Sequence, residues 1–172
     1  MKEILIAISL LSIKAGDANE NASTLQIRNN WLGFEPAQSE EIIKAEKRLH
    51  VIFPEDYKEF LKITDGFSAP NTVEPTFMKV EDIDLLKNID PELVKIWGES
   101  DAEMKKILEK CIMIAGKDQE QYFLLIPNGS VGNKWRYWKF ANWIPGEYEF
   151  EDLHSYFKDV LGFYEEENLN NK

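Results

Sequence analysis

Phe53-Pro54-Glu55-Asp56-Tyr57-Lys58-Glu59-Phe60-Leu61-Lys62-Ile63-Thr64-Asp65-Gly66 is the stretch that decides the fold. Pro54 suits the first turn of a helix, where its missing N–H leaves no hydrogen bond unmade. Four side chains then recur on one face and predict an amphipathic helix: Tyr57, Phe60, Leu61 and Thr64. Gly66 is the predicted C′ residue of that helix, because glycine adopts the left-handed conformation without a steric penalty.

Residues 39–49 predict a second helix, packed against the first because only residues 50–53 connect the two. Ser39 is the expected N-cap. The buried stripe consists of Ile42, Ala45 and Leu49. Glu46 falls on the same stripe, and a carboxylate there needs donors. We therefore expect Glu46 to be half-buried and to accept hydrogen bonds from loop N–H groups.

The first 30 residues predict a helix followed by a loop. Residues 4–13 are largely apolar, and Ile4, Ile8 and Leu11 fit one helical face. A signal peptide has a similar apolar run, but Glu3 and the single lysine beside it favour a first helix of the domain. The run is too short to cross a bilayer as a helix.

The second half of the chain predicts a sheet and a closing helix. Three apolar segments separated by turn-forming residues indicate an antiparallel meander, at 111–115, 121–126 and 135–140. Residues 142–146 should end the sheet, and Asp152 should cap the last helix. Between the two halves we expect a short strand and three short helical pieces, at 76–80, 83–87, 91–97 and 101–110. The predicted class is α+β, with an antiparallel or mixed sheet meander packed against helices of the N-terminal half and a closing C-terminal helix.

The chain is acidic, with a net charge of −11 and an isoelectric point near 4.7. Such a surface repels nucleic acid and anionic lipid and attracts basic proteins. Residues 164–172 form a predicted acidic tail, which either keeps the chain soluble or contributes to a partner site. The one cysteine, Cys111, allows no intrachain disulfide and suits a cytoplasmic protein.

Catalytic and cofactor motifs are missing from the sequence. The two histidines, His50 and His154, lack a second ligand at metal spacing. There is no glycine-rich phosphate loop and no nucleophile elbow. We therefore predict no cofactor, no metal and no catalytic residues, although a hydrolase with two carboxylates stays a weaker alternative. Residues 134–140 are basic and aromatic, but in so acidic a chain this pattern favours sheet core over nucleic-acid binding.

Three segments together resemble the SUKH superfamily, which contains Smi/Knr-type fungal cell-wall regulators and bacterial immunity proteins of polymorphic-toxin systems. They are residues 42–49, residues 53–66 and residues 150–157. The chain departs from the family pattern at Asp65, where asparagine is usual, and at His50 and Val51. The resemblance covers about residues 31–163, which we take as the family domain within a one-domain chain.

The resemblance implies an α+β domain without catalysis whose ligand is a protein. The residues that carry it have structural explanations, in the core or at helix ends, and are not predicted as a binding site: Glu46, Pro54, Tyr57, Phe60 and Gly66. The oligomeric state is left open.

The function expected from these features is an immunity protein that neutralises a cognate basic toxin, for example a nuclease. Acidic side chains would occupy the toxin's cationic patch. The candidate contacts lie in predicted loops and near the C-terminus: Asp65, Glu74, Asp118, Glu120, Glu147 and Glu149. Each of them also fits an ordinary solvated charge. The alternative is an intracellular regulatory scaffold that has no toxin partner.

Overall fold

The computed structural model describes residues 1–127, 135–141 and 147–170. The helices are α1 (Lys2–Ala15), α2 (Thr24–Asn29), α3 (Ser39–Leu49), α4 (Glu55–Ile63), α5 (Leu86–Ile89), α6 (Pro91–Ser100), α7 (Ala102–Leu108) and α8 (Leu153–Asn170), with a short 3-10 turn at Asp17–Glu20. The strands are β1 (Asp84–Leu85), β2 (Ile112–Ala115), β3 (Gln121–Pro127), β4 (Trp135–Ala141) and β5 (Glu147–Phe150).

The strands form one antiparallel sheet in the order β1-β2-β3-β4-β5, so the predicted α+β meander is confirmed. The meander is longer than the sequence predicts, because β1 and β5 add an edge strand on each side. The predicted sheet break at residues 142–146 lies outside the described residues.

Helices cover both faces of the sheet, which explains why β4 is aromatic on both sides. On one face, Phe123 of β3 packs on Tyr156 of α8, with ring centroids 4.4 Å apart. On the other face, Phe140 of β4 packs on Trp97 of α6 at 5.0 Å. The alternation of a strand sends neighbouring side chains to opposite faces, so each face needs its own apolar partners.

Helices α3 and α4 lie close to where the sequence predicts them, but two of their caps differ. The N-cap of α3 is Gln38 rather than Ser39, because the Glu41 carboxylate accepts the Gln38 N–H at 2.7 Å. Helix α4 ends at Ile63, and Thr64 leaves it in an extended conformation. Gly66 is therefore not the C′ residue, although its φ of 98° is positive as expected.

Two predictions between α4 and β2 are wrong. Residues 76–80 form no regular strand; instead Phe77 makes single bridges to Phe67 and Ala115. Residues 83–87 do not begin as a helix, because Asp84 and Leu85 pair with β2 before α5 starts. In both places tertiary pairing overrides local propensity.

Helix α1 is part of the core. Its Leu5 and Ile8 side chains are fully buried, and it packs on α8. Tyr164 of α8 donates a hydrogen bond to the carbonyl of Pro70 at 2.8 Å. Residues 164–170, which the sequence places in an acidic tail, continue α8. Within the described residues, no helix is long and apolar enough to cross a membrane.

Candidate protein-interaction surface

One end of the sheet gathers several of the acidic residues predicted as contacts. The register pairs Gln121 with Ala141 and Phe140 with Glu147, so the β2–β3 turn and the start of β5 lie at the same end. Gln119 fixes the turn, because its Oε1 accepts the Thr76 N–H at 2.8 Å. We call this region, residues 117–120 and 147–149, the acidic sheet end.

Asp118 and Glu120 are the freely exposed acids of this region. Both are exposed at the tip of the β2–β3 turn. Asp118 has a φ of 61°, a left-handed conformation that aspartate tolerates better than most residues. Their carboxylates make no hydrogen bond or ion pair within the part of the chain that the structure describes, so they are available to a partner.

Tyr148 is the residue of this surface that sequence reasoning missed. It lies in the middle of edge strand β5 and is 75% exposed. Acidic and aromatic residues alternate in Glu147-Tyr148-Glu149-Phe150, but four residues are too few to separate a strand from a loop. The alternation also places Tyr148 on the same side of β5 as the half-buried Phe150, so no local signal predicts its exposure. Exposed tyrosines are frequent anchors in protein interfaces.

Glu149 and Glu147 contribute differently. Both carboxylate oxygens of Glu149 accept hydrogen bonds from Nη1 of Arg136 at 2.9 Å, although the side chain remains 47% exposed. A partner cation would therefore have to compete with Arg136 for it. The backbone of Glu147 pairs with Phe140, whereas the structure does not describe the Glu147 side chain.

Glu74 is not the solvated loop acid that its sequence position suggests. Its Oε1 accepts a hydrogen bond from Lys139 Nζ at 2.6 Å, and its Oε2 accepts one from the Tyr156 hydroxyl at 2.7 Å. The Glu74 side chain is only 13% exposed. It joins the 71–76 loop to β4 and α8.

Asp65 is half-buried and bonded to its own loop. Its Oδ1 accepts the Val80 N–H at 2.7 Å. Burial raises the pKa of this carboxyl above its usual range, while the Val80 hydrogen bond acts in the opposite direction. Asp65 therefore holds the 65–80 loop and is not a freely solvated contact.

The residues that carry the family resemblance serve the helix pair. Oε1 of Glu46 accepts the Phe53 N–H at 2.8 Å, which links α3 to the start of α4. Tyr57 and Phe60 are fully buried and stack on each other. The Tyr57 hydroxyl has no hydrogen-bond partner among the described residues, and burial raises the pKa of this phenol.

The cysteine and one of the two histidines lie in different surroundings. Cys111 is inaccessible, and burial raises the pKa of its thiol to about 12, so it is a poor nucleophile. His50 ends α3 in a left-handed conformation and is exposed. Among the described residues, no group of three or more histidine, cysteine or acidic side chains could hold a metal ion.

A family model matches most of the chain, including helices α3 and α4, the sheet and the first part of α8. The model of the SMI1 / KNR4 family (SUKH-1) matches residues 36–162. The chain belongs to this family. No curated protein matches the chain.

The SUKH-1 domain contains the whole acidic sheet end, whereas α1 and α2 precede the matched range. The arrangement at this end combines exposed carboxylates with an exposed phenol on a short edge strand. Chemically it can accept hydrogen bonds from cationic side chains and offer an aromatic surface to them.

Proposed function

We propose that this SUKH-1 protein is an immunity protein that binds a cognate basic toxin and blocks its active site. The observation that carries the proposal is the acidic sheet end, where Asp118 and Glu120 of the β2–β3 turn and Tyr148 of β5 are each exposed. Family membership supports a protein-binding role, and the polarity of this surface supports a cationic partner.

Electrostatic attraction would act before contact. A net charge of −11 steers a basic partner toward the chain and raises its association rate. At the surface, the carboxylates of Asp118 and Glu120 would take the place of substrate phosphates in the toxin. An enzyme that binds nucleic acid has such a cationic patch, so a nuclease is the kind of toxin that fits best.

Tyr148 would supply the main affinity of the complex. Surface charges at an interface chiefly affect the association rate, whereas buried aromatic side chains dominate the dissociation rate. Glu149 is already paired with Arg136, so we assign it a role in holding β5 rather than in direct contact. Glu74 has the same kind of supporting role.

A pull-down from the native host, with the full chain as tagged bait, tests the proposal. Recovery of one stoichiometric chain with a toxin-like C-terminal domain is expected, and adding the bait should abolish the activity of that domain. Recovery of housekeeping or signalling proteins alone would overturn the immunity role and favour the regulatory scaffold.

Charge-reversal variants then locate the surface. The double variant Asp118→Lys/Glu120→Lys should lower the association rate with the recovered toxin about tenfold or more. Glu99→Lys/Glu166→Lys changes the net charge equally at exposed positions elsewhere and is the control. If the two double variants bind with equal rates, only the overall charge matters and the acidic sheet end is not the interface.

A further inference from the structure

An apolar groove runs between α1, α2 and the segment 31–36. Its volume is ≈ 730 Å³, which is within the range of well-formed binding sites. Four large hydrophobic side chains that line it remain exposed: Ile6, Leu10, Leu25 and Phe34. Contiguous exposed apolar surface of this kind marks an interaction site.

The sequence of α1 indicates that this groove is normally covered. The inner side of α1 is buried in the core through Leu5 and Ile8. Its outer side is also apolar, with Ile6 38% and Leu10 47% exposed. A helix that is hydrophobic all round is usually buried all round, so one side of α1 lacks its cover in the isolated chain.

The charged residues of the groove are one cation and one anion. Lys2, Ile6 and Leu10 follow one another at four-residue intervals and form a line along α1. Glu35, in the segment 31–36, also lines the groove. Neither the Lys2 nor the Glu35 side chain forms an ion pair within the described residues, so each of them is available to a partner of opposite charge.

We infer that the occupant of this groove is a second copy of the chain. Helix α1 of each copy would lie in the groove of the other about a twofold axis, with Ile6 and Leu10 at the centre. A twofold interface must be self-complementary, and this lining has both required parts, an apolar ridge and an apolar cleft. Lys2 of one copy would meet Glu35 of the second copy, twice.

The net charge of −11 does not prevent this pairing, because the lining itself is balanced between Lys2 and Glu35. Most of the groove comes from residues before 36, outside the range that the SUKH-1 model matches. The inferred dimer is therefore a property of this chain's N-terminal region. It is independent of the proposed toxin binding, which uses the acidic sheet end.

Sedimentation equilibrium of the full chain tests the inference without any partner. The expected species is a dimer of the 20.0 kDa chain. Leu10→Glu should convert it to a monomer, whereas Ile96→Glu, at a 56% exposed position of α6 across the sheet, should leave the dimer intact. A wild-type chain that stays monomeric up to about 1 mM overturns the inference, and so does a Leu10→Glu variant that stays dimeric.

Reversing the rim charges gives a second test that leaves the apolar core of the chain untouched. Lys2→Glu and Glu35→Lys should each weaken the dimer several-fold through like-charge contacts. The double variant Lys2→Glu/Glu35→Lys should restore it, because the cross-axis pairs are re-formed with reversed sign. If the double variant dimerises no better than either single variant, the two side chains do not meet and the twofold arrangement is wrong.

Discussion

At the scale of single residues, the Asp65 carboxylate of this SUKH-1 protein stabilises a loop of the fold. The Asp65 carboxylate is partly buried, and this burial raises its pKa. The hydrogen bond from Val80 and the charge of Lys79 favour the ionised form, whereas Glu41 and Glu81 disfavour it. The net effect of these interactions is that the pKa of Asp65 is higher in the folded state than in the unfolded chain.

The first prediction concerns the pH dependence of stability at Asp65. Between the unfolded and the folded pKa, the folded state binds more protons, so the free energy of unfolding falls as pH rises. Asp65→Asn removes this loss and keeps an oxygen that accepts the Val80 N–H. We expect the variant to be more stable than wild type at neutral pH, by less than about 1 kcal/mol because water screens the partly exposed group. The advantage should vanish in acid.

Urea unfolding of both proteins from about pH 3 to pH 7 measures the difference. Asp65→Ala is the control, because it removes the charge together with the acceptor for Val80. It should destabilise the fold across the whole range, by about 1–3 kcal/mol. If the wild-type chain is more stable than Asp65→Asn at neutral pH, the folded state does not raise the pKa of Asp65.

At the scale of elements, predictability follows the strength of the local signal. Helices α3 and α4 have amphipathic stripes, acidic first turns and a short connection, so their positions are correctly predicted. The two edge strands were missed. Strand β1 has two residues and β5 has four, which is too short for periodicity to separate a strand from a loop. Their pairing with β2 and β4 comes from tertiary structure.

The second prediction compares two glycines in different elements. Gly66 has a positive φ of 98°, and a Cβ there would lie 2.8 Å from the Phe77 carbonyl oxygen. Gly162 lies inside α8, and a Cβ there would meet nothing within 4 Å. Gly66→Ala should therefore destabilise the fold by more than about 1 kcal/mol. Gly162→Ala should stabilise it by up to about 1 kcal/mol, the helix-propensity difference between the two residues.

Thermal unfolding followed by circular dichroism gives both shifts in one experiment. The two substitutions add the same methyl group, so each is the control for the other. Equal shifts of the two variants would show that the backbone conformation at Gly66 imposes no special requirement, and would contradict the close approach of Gly66 to Phe77.

At the scale of the whole molecule, contacts between residues that are far apart in the chain could not be predicted from the sequence. The turn position of Asp118 and Glu120 needs only local signals, and both are exposed. The burial of Glu74 depends on Lys139 and Tyr156, which lie 65 and 82 residues away. The pairing of Glu149 with Arg136 requires the register of β4 and β5. No local sequence pattern encodes such long-range bonds. The sequence could therefore identify the acidic candidates, but it could not separate the acids that are free to bind a partner from those that are bonded within the fold.

The third prediction is that α1 and the family-matched region unfold as one unit. Leu5 is fully buried between α1 and the rest of the core, although it precedes the matched range. Leu5→Ala should lower the free energy of unfolding by about 2–5 kcal/mol, because it leaves a cavity. If the core is continuous, that loss must also reach β3, where Phe123 and Leu124 are fully buried.

Native-state hydrogen exchange distinguishes a continuous core from a separate N-terminal unit, because it reports the opening free energy of each segment. In Leu5→Ala, the most protected amides of β3 should lose protection by the same free energy as those of α1. Ile96→Ala, at an exposed position, should change protection by less than about 0.5 kcal/mol and serves as control. Loss of protection confined to α1 would show that this helix opens independently. The groove that α1 helps to form would then be a less stable surface than the acidic sheet end, and a dimer built on α1 would depend on the local folding of that helix.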